Sequence, residues 1–177
     1  AVAENAGQLG IKTKDILSFT KTMVMLGDTT NLSADEASSA LAKFANVTGM
    51  SASKYKNLGS AIVDLGNNFA TTEADIVAMS TRLASTGSLA GLSQPQILAL
   101  AAAMSSVGIE AEAGGSAMSK LLKQIQLAVE LGGSKLSQFA SVAGVSGNQF
   151  KKIFEKDAVR ALGLFIDGLN DTERNGK

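Results

Sequence analysis

Apolar residues recur at intervals of three and four positions along almost the whole chain, whereas strictly alternating apolar and polar positions are rare. Residues at this spacing lie on one face of an α-helix, so each run predicts a helix with one buried face. The pattern therefore predicts an all-α fold. The clearest apolar stripes are Ile16, Phe19, Met23 and Leu26; Tyr55, Leu58, Ile62, Leu65 and Phe69; Ile76, Met79 and Leu83; Ile97, Leu100, Met104 and Val107; Met118, Leu121, Leu122, Ile125 and Val129; and Leu162, Phe165, Ile166 and Leu169.

A short pattern of Gly or Asn, an apolar residue and Ser recurs between the stripes. Gly or Asn can adopt the left-handed backbone conformation that ends a helix, and Ser can accept a hydrogen bond from free N–H groups at the next helix start. Each copy predicts a tight reversal, so we expect a compact bundle of roughly eight to ten short antiparallel helices. The copies are Asn31-Leu32-Ser33, Gly49-Met50-Ser51, Gly91-Leu92-Ser93 and Gly144-Val145-Ser146.

Three of these four serines are followed three positions later by Glu or Gln, which predicts capping boxes. The apolar residue before each serine is expected to pack on the fourth residue of the new helix. The predicted boxes are Ser33 with Glu36, Ser93 with Gln96 and Ser146 with Gln149, with Thr72 and Asp75 as a weaker relative. The expected apolar pairs are Leu32 with Ala37, Met50 with Tyr55, Leu92 with Ile97, and Val145 with Phe150.

Small residues form a second face beside the stripe that begins at Tyr55. They are Gly59, Val63, Gly66 and Ala70. A glycine inside a helix costs roughly 1 kcal/mol relative to alanine, so one interpretation is that a neighbouring helix packs closely there. The alternative, held equally open, is that Gly66 ends the helix.

The amino-acid composition excludes several kinds of binding site and catalytic group. Lys and Arg balance Asp and Glu at 16 each, so no net field favours nucleic acid, and no specific nucleic-acid binding is expected. The chain has no Cys and no His, which removes disulfides, thiolate chemistry, cysteine-ligated metals and the commonest general base. The longest apolar run, Ile97 to Met104, is far shorter than the ~20 residues of a membrane-spanning helix, so no such span is expected here.

Gly114 and Gly115 precede an apparent helix, which is where phosphate-binding loops are built. Glu110 and Glu112 come just before them, no preceding strand is predicted, and the nearest cation, Lys120, lies well inside the helix. Carboxylates at this position repel an anion and stabilise the helix start themselves. We therefore expect no nucleotide and no other cofactor. Instead, Gly108 ends one helix, Ile109 folds back toward Met104, and the glycine pair allows a close crossing.

Other candidate chemistry is equally weak. Glu110 and Glu112 could serve as paired acids in glycoside hydrolysis, but sugar clefts usually present aromatic faces and this chain is 5% aromatic. Two segments, Ser18 to Lys21 and Ser51 to Lys54, match the Ser-x-x-Lys pattern of penicillin-recognising enzymes, which a chain rich in Ser and Lys contains by chance. We therefore predict no catalytic, cofactor-binding or metal-binding residue, and no enzyme.

Three motifs give the chain a recognisable resemblance. They are Gly66-Asn67-Asn68-Phe69-Ala70-Thr71-Thr72-Glu73, then Gly108-Ile109-Glu110-Ala111-Glu112-Ala113-Gly114-Gly115-Ser116, then Phe165-Ile166-Asp167-Gly168-Leu169. From about Val2 to Asn170 the chain resembles the core region of phage tail tape measure proteins. The resemblance implies a structural protein of a long-tailed phage or prophage, whose family members lie in the tail lumen and set its length during assembly.

The resemblance also implies partners and location. The partners would be other tail proteins (tube, initiator or tail chaperone) and the chain itself, in the virion tail and, during assembly, in the host bacterial cytoplasm. Alternative hypotheses are a tail-associated cell-wall hydrolase segment and an all-helical adaptor unrelated to phage.

The expected organisation is one helical domain. It would cover residues 1–170, undivided or subdivided near 108–115, followed by a polar tail or linker start at 171–177. The helical first residues and the polar last ones suggest a piece of a longer protein.

Overall fold

The computed structural model of the protein describes residues 2–174. Over this range the chain forms ten α-helices and two single-turn 3-10 helices and contains no β-strand. The predicted all-α fold is confirmed. The α-helices are α1 (Val2–Gln8), α2 (Ile16–Thr29), α3 (Ala34–Val47), α4 (Tyr55–Asn68), α5 (Glu73–Leu89), α6 (Gln94–Ser106), α7 (Ala111–Leu131), α8 (Gly133–Val142), α9 (Gly147–Lys156) and α10 (Ala158–Arg174).

The chain divides into two compact units. Within the described range, unit 1 consists of residues 2–88 and 93–119, and unit 2 of residues 89–92 and 120–174. The single domain expected over residues 1–170 stays a prediction. The segment expected to be a polar tail continues α10 as far as Arg174, and its last three residues lie outside the described range.

The capping box at the start of α3 shows how the sequence sets a helix boundary. The Ser33 hydroxyl oxygen accepts a hydrogen bond from the Glu36 N–H at 3.2 Å, and the Glu36 carboxylate accepts one from the Ser33 N–H at 3.1 Å. The Ser33 hydroxyl also donates to this carboxylate at 2.6 Å, and these hydrogen bonds lower the pKa of Glu36. Free N–H groups of the first turn are satisfied by this exchange.

The other predicted boxes are also formed. At α9, the Ser146 hydroxyl accepts from the Gln149 N–H at 3.3 Å, and the Gln149 side chain accepts from the Ser146 N–H at 3.0 Å. At α6, the Ser93 N–H donates to the Gln96 side chain at 2.9 Å. Thr72 caps α5 through the N–H of Asp75 at 3.2 Å. The four apolar pairs expected beside the serines stay predictions.

Two details of the predicted turns are wrong. Ser51 does not cap an α-helix, because a 3-10 turn (Ala52–Lys54) follows it, α4 begins only at Tyr55, and the Ser51 hydroxyl pairs with the Ser53 hydroxyl at 2.9 Å. No described non-glycine residue has a positive φ, so Asn31 does not end α2 in the left-handed conformation. Gly49, Gly91 and Gly144 do adopt it, with φ of +64°, +85° and +69°.

Unit 1 is built on α2, α3 and α4. Helix α3 packs on α2 after a short reversal, and α4 packs on α2 as well. The Phe19 and Tyr55 rings meet edge to face with centroids 5.2 Å apart, and Gly59 lies against Thr22 and Leu26 one turn further along both helices. The contacts move toward the C-terminal end of α2 and of α4 at the same time, so the two helices run parallel. Burial and the nearby Asp15 carboxylate raise the pKa of Tyr55.

The small-residue face of α4 is only partly covered. A Cβ on Gly59 would lie 2.8 Å from the Thr22 methyl group, so close packing is confirmed there. The helix continues to Asn68, so the alternative that Gly66 ends it is wrong, and Gly66 faces the Glu73 side chain. Val63 is half-buried and Ala70 is exposed beyond the helix end. The expected neighbouring helix covers only one end of this face.

Unit 2 contains α8, α9 and α10, which pack on one another. Phe139 joins them, because its ring lies 5.2 Å from the Phe165 ring and 6.5 Å from the Phe150 ring. Gly168 on α10 meets the backbone carbonyl of Val142 at the end of α8. Phenylalanine therefore supplies core volume in this otherwise small-residue chain, and a glycine allows the closest crossing.

The apolar stripes are buried at their centres, but some residues at their ends are exposed. Phe19, Met23 and Leu26 are buried, as are Ile76, Met79 and Leu83. The exceptions are Phe69, Val107, Ile166 and Leu169, whose side chains are 37–74% exposed. Helix α4 ends before Phe69 and α6 ends before Val107, so helical spacing no longer directs these side chains inward. Among the described helices, none has both the length and the apolar character to cross a membrane.

Candidate interaction surface

The Gly114-Gly115 pair lies inside a helix and not in a loop. Helix α7 begins at Ala111, and the Gly114 N–H donates to the Glu110 carbonyl at 2.8 Å. Gly108, with φ of +79°, follows the end of α6, and the Ile109 N–H donates back to the Met104 carbonyl at 3.2 Å. The predicted helix stop and the fold-back of Ile109 are confirmed.

Both glycines of the pair allow close packing. Gly114 faces the Ile109 side chain, and a Cβ on Gly115 would lie 2.7 Å from the Cβ of Arg82 and 3.4 Å from the Met79 sulfur on α5. The predicted crossing is thereby confirmed, and its partner is α5. Close packing therefore explains why glycine occupies both positions.

The two acids ahead of this pair are solvent-facing. Glu110 and Glu112 border a cleft of about 400 Å³ with Asp75 and Arg82, and none of the cleft's lining residues is aromatic. The Glu112 carboxylate lies 3.7 Å from the Arg82 guanidinium, and both side chains are more than half exposed. Such an exposed pair contributes little to stability. Within residues 2–174, no three Asp or Glu side chains converge as a metal site would need.

The Ser-x-x-Lys segments also serve local structure. The Ser18 hydroxyl donates to the Asp15 carbonyl at 2.9 Å, and Ser51 pairs with Ser53. These hydrogen bonds occupy Ser18 in the first turn of α2 and Ser51 just before the 3-10 turn that precedes α4. No observation identifies either serine as a nucleophile.

A groove of about 720 Å³ lies between the parallel helices α2 and α4 of unit 1, and we call it the α2–α4 groove. Met25 forms a ridge along it and is 59% exposed, while Ser60 and Val63 form a shallow hollow beside the buried Gly59. The lining residues are Thr22, Met25, Leu26, Thr29, Lys56, Gly59, Ser60, Ala61, Val63, Asp64 and Asn67. An open apolar groove with a protruding methionine suits contact with another protein.

Charges are arranged in order along this groove. Lys56 and Asp64 line it two turns apart on α4, and Lys21 and Asp28 flank Met25 at the i−4 and i+3 positions of α2. All four side chains are exposed, and Asp64 accepts a hydrogen bond from the Asn68 side chain at 3.1 Å. Because α2 and α4 run parallel, the groove has a basic end and an acidic end.

Only part of this surface could be read from the sequence. The small residues of α4 were visible as a face, but Met25 lies outside the stripe of Ile16, Phe19, Met23 and Leu26. An apolar residue off the stripe was the available signal. That α2 is the neighbour, and that it runs parallel to α4, follows only from the fold.

Comparisons with known proteins agree on one family. The family profile described as phage-related minor tail protein matches residues 1–177. A probable tape measure protein of Halomonas phage phiHAP-1 is 29% identical over 128 residues, which cover 68% of this chain and 15% of that protein. The chain thus spans a small part of that relative's length. No solved structure matches the chain. Because the profile covers the whole sequence, the chain belongs to the phage-related minor tail protein family.

Proposed function

We propose that this chain is a folded structural module of a tape measure protein that contributes to tail assembly and tail-length determination through protein–protein contacts. Family membership gives it a structural role in a phage tail and removes the adaptor unrelated to phage. The proposed partners are the tube, initiator or tail chaperone proteins, in the host cytoplasm during assembly and then in the virion tail. In this proposal the module acts by binding and not by catalysis.

The observation that carries the proposal is the reversal of the chain. A single helix of 177 residues would extend about 265 Å, whereas the longest helix here, α7, has 21 residues. Turns separate the helices, several of them closed by capping boxes, and the segments collect into two compact units. A ruler measures by extension, so we assign this segment to organising contacts and the measuring length to other parts of the full protein.

Deleting this segment from the full-length tail protein should distinguish a module from a ruler. We expect few assembled tails, because the contacts that organise assembly are lost, and we expect no uniform shortening. Tail number and length are measured by negative-stain electron microscopy. The control is a deletion of equal length elsewhere in the same protein, within a segment predicted to be continuous helix, which should shorten tails by about 265 Å. Abundant tails shortened by that amount on deleting this segment would contradict the proposal.

A disulfide should report whether the module stays folded in assembled tails. The Thr71 and Ser105 hydroxyl oxygens are 2.8 Å apart although the residues are 34 positions apart, and this chain has no cysteine. In Thr71→Cys/Ser105→Cys tails, with any cysteine elsewhere in the protein replaced, mild oxidation should form a disulfide within one chain, seen as faster migration on a non-reducing gel.

The control pair is Thr71→Cys/Ala103→Cys. Ala103 is exposed and lies two residues earlier on α6, about 200° around the helix, so this pair should stay reduced. If the chain were one extended helix in the tail, positions 71 and 105 would be about 50 Å apart. A disulfide that forms in the free chain but not in assembled tails would count against a folded module.

A further inference from the structure

We propose that the α2–α4 groove is a self-association surface, on which a second copy of this chain docks about a two-fold axis. The ridge of each copy enters the hollow of the other, and the basic end of each groove faces the acidic end of the other. The inference rests on the shape and charge of unit 1 and holds independently of the role proposed in the tail.

The shape of the groove is self-complementary. A two-fold interface uses the same patch on both copies, so the patch must carry both a protrusion and a matching depression. Met25 protrudes from α2, and the hollow at Ser60 and Val63 lies beside it on α4. Two copies in antiparallel orientation place each Met25 side chain in the hollow of its partner. A methionine is flexible enough to fill such a shallow depression.

Charge selects the antiparallel orientation. With the copies reversed, Lys21 and Lys56 of one copy face Asp28 and Asp64 of the other, twice over. With the copies parallel, lysines face lysines and aspartates face aspartates, which is repulsive. The formal net charge of the chain is zero, so no overall repulsion opposes pairing.

The size of the surface predicts weak association. Helices α2 and α4 have 14 residues each and are therefore about 21 Å long, so two helices bury less than a standard interface of about 800 Å² per partner. We expect a dissociation constant in the micromolar range or weaker.

Sedimentation equilibrium of the 177-residue chain, at a series of protein concentrations that reaches the high-micromolar range, tests the inference. The wild-type chain should show a monomer–dimer equilibrium. Lys21→Glu/Lys56→Glu makes both ends acidic, and Asp28→Lys/Asp64→Lys makes both ends basic, so each variant alone should associate at least tenfold more weakly. An equimolar mixture of the two variants should form a mixed dimer at least as tight as the wild-type dimer. Circular dichroism confirms that all variants are folded.

Two single substitutions of exposed apolar residues distinguish docking on this face from non-specific hydrophobic association. Met25→Glu should abolish association, whereas Leu131→Glu, which changes an 83% exposed residue of unit 2, should leave it unchanged. A wild-type chain that stays monomeric throughout the series overturns the inference, and so does a mixture of charge variants that fails to associate. Association that survives Met25→Glu would place the contact on another face and would also overturn it.

Discussion

Replacing Gly168 by alanine should lower the free energy of unfolding by about 3 kcal/mol or more. Gly168 lies on α10, where a methyl group would come far closer to the Val142 carbonyl oxygen at the end of α8 than van der Waals contact allows. This obstacle is backbone, so it cannot turn away as a side chain could, and α10 must move from α8. For a chain of this length the apparent unfolding temperature should fall by roughly 6–12 °C, measured by circular dichroism at 222 nm.

A glycine on the same helix provides the matched control. No neighbouring atom lies within 4 Å of the position that a Cβ on Gly163 would occupy. Gly163→Ala should therefore stabilise α10 by about 0.5–1 kcal/mol, because alanine has the higher helix propensity. Equal effects of the two substitutions would show that helix propensity, and not the close approach to α8, explains the glycine at 168.

Local hydrogen bonding explains which helix boundaries could be predicted. Ser33, Ser93 and Ser146 each have a Glu or Gln at the third following position, and each starts an α-helix as expected. Ser51 has Lys54 there instead, cannot form the reciprocal bond, and is followed by a 3-10 turn. The chemistry of a cap lies within four residues, so a single sequence contains nearly all of it.

Contacts between distant segments explain what could not be predicted. Asn31 was expected to end α2 through its backbone, but its side chain instead accepts a hydrogen bond from the Ala74 N–H at the start of α5, at 3.2 Å. That partner is 43 positions away, and nothing near Asn31 indicates it. The glycines at 59 and 115 were correctly assigned to close packing, although their partners, α2 and α5, became known only with the fold.

The same limit applies to the α2–α4 groove. The sequence predicts a small-residue face on α4 and a neighbouring helix packed closely on it. Helix α2 covers Gly59, whereas Val63 lies beside an open groove. The charge order along the groove depends on the parallel direction of two helices, which no local pattern contains.

Replacing Phe19 by alanine should have the largest effect of any substitution considered for unit 1, with a loss of about 3–5 kcal/mol in unfolding free energy. Phe19 is completely buried, and its ring holds α2 against α4 through the edge-to-face contact with Tyr55. The loss combines the missing apolar surface of the ring with the cavity that the packed surroundings fill only in part. Urea unfolding followed at 222 nm measures the loss.

Two further variants separate the cavity from other causes. Phe19→Leu keeps most of the volume and should cost less than half as much, whereas Leu17→Ala, at a 67% exposed position of the same helix, should change stability little. A Phe19→Ala loss no larger than that of Leu17→Ala would mean that α2 does not rest on this ring. Because Phe19 packs between α2 and α4, loss of self-association in Phe19→Leu, with the fold retained, would connect the packing of these two helices to the proposed docking surface.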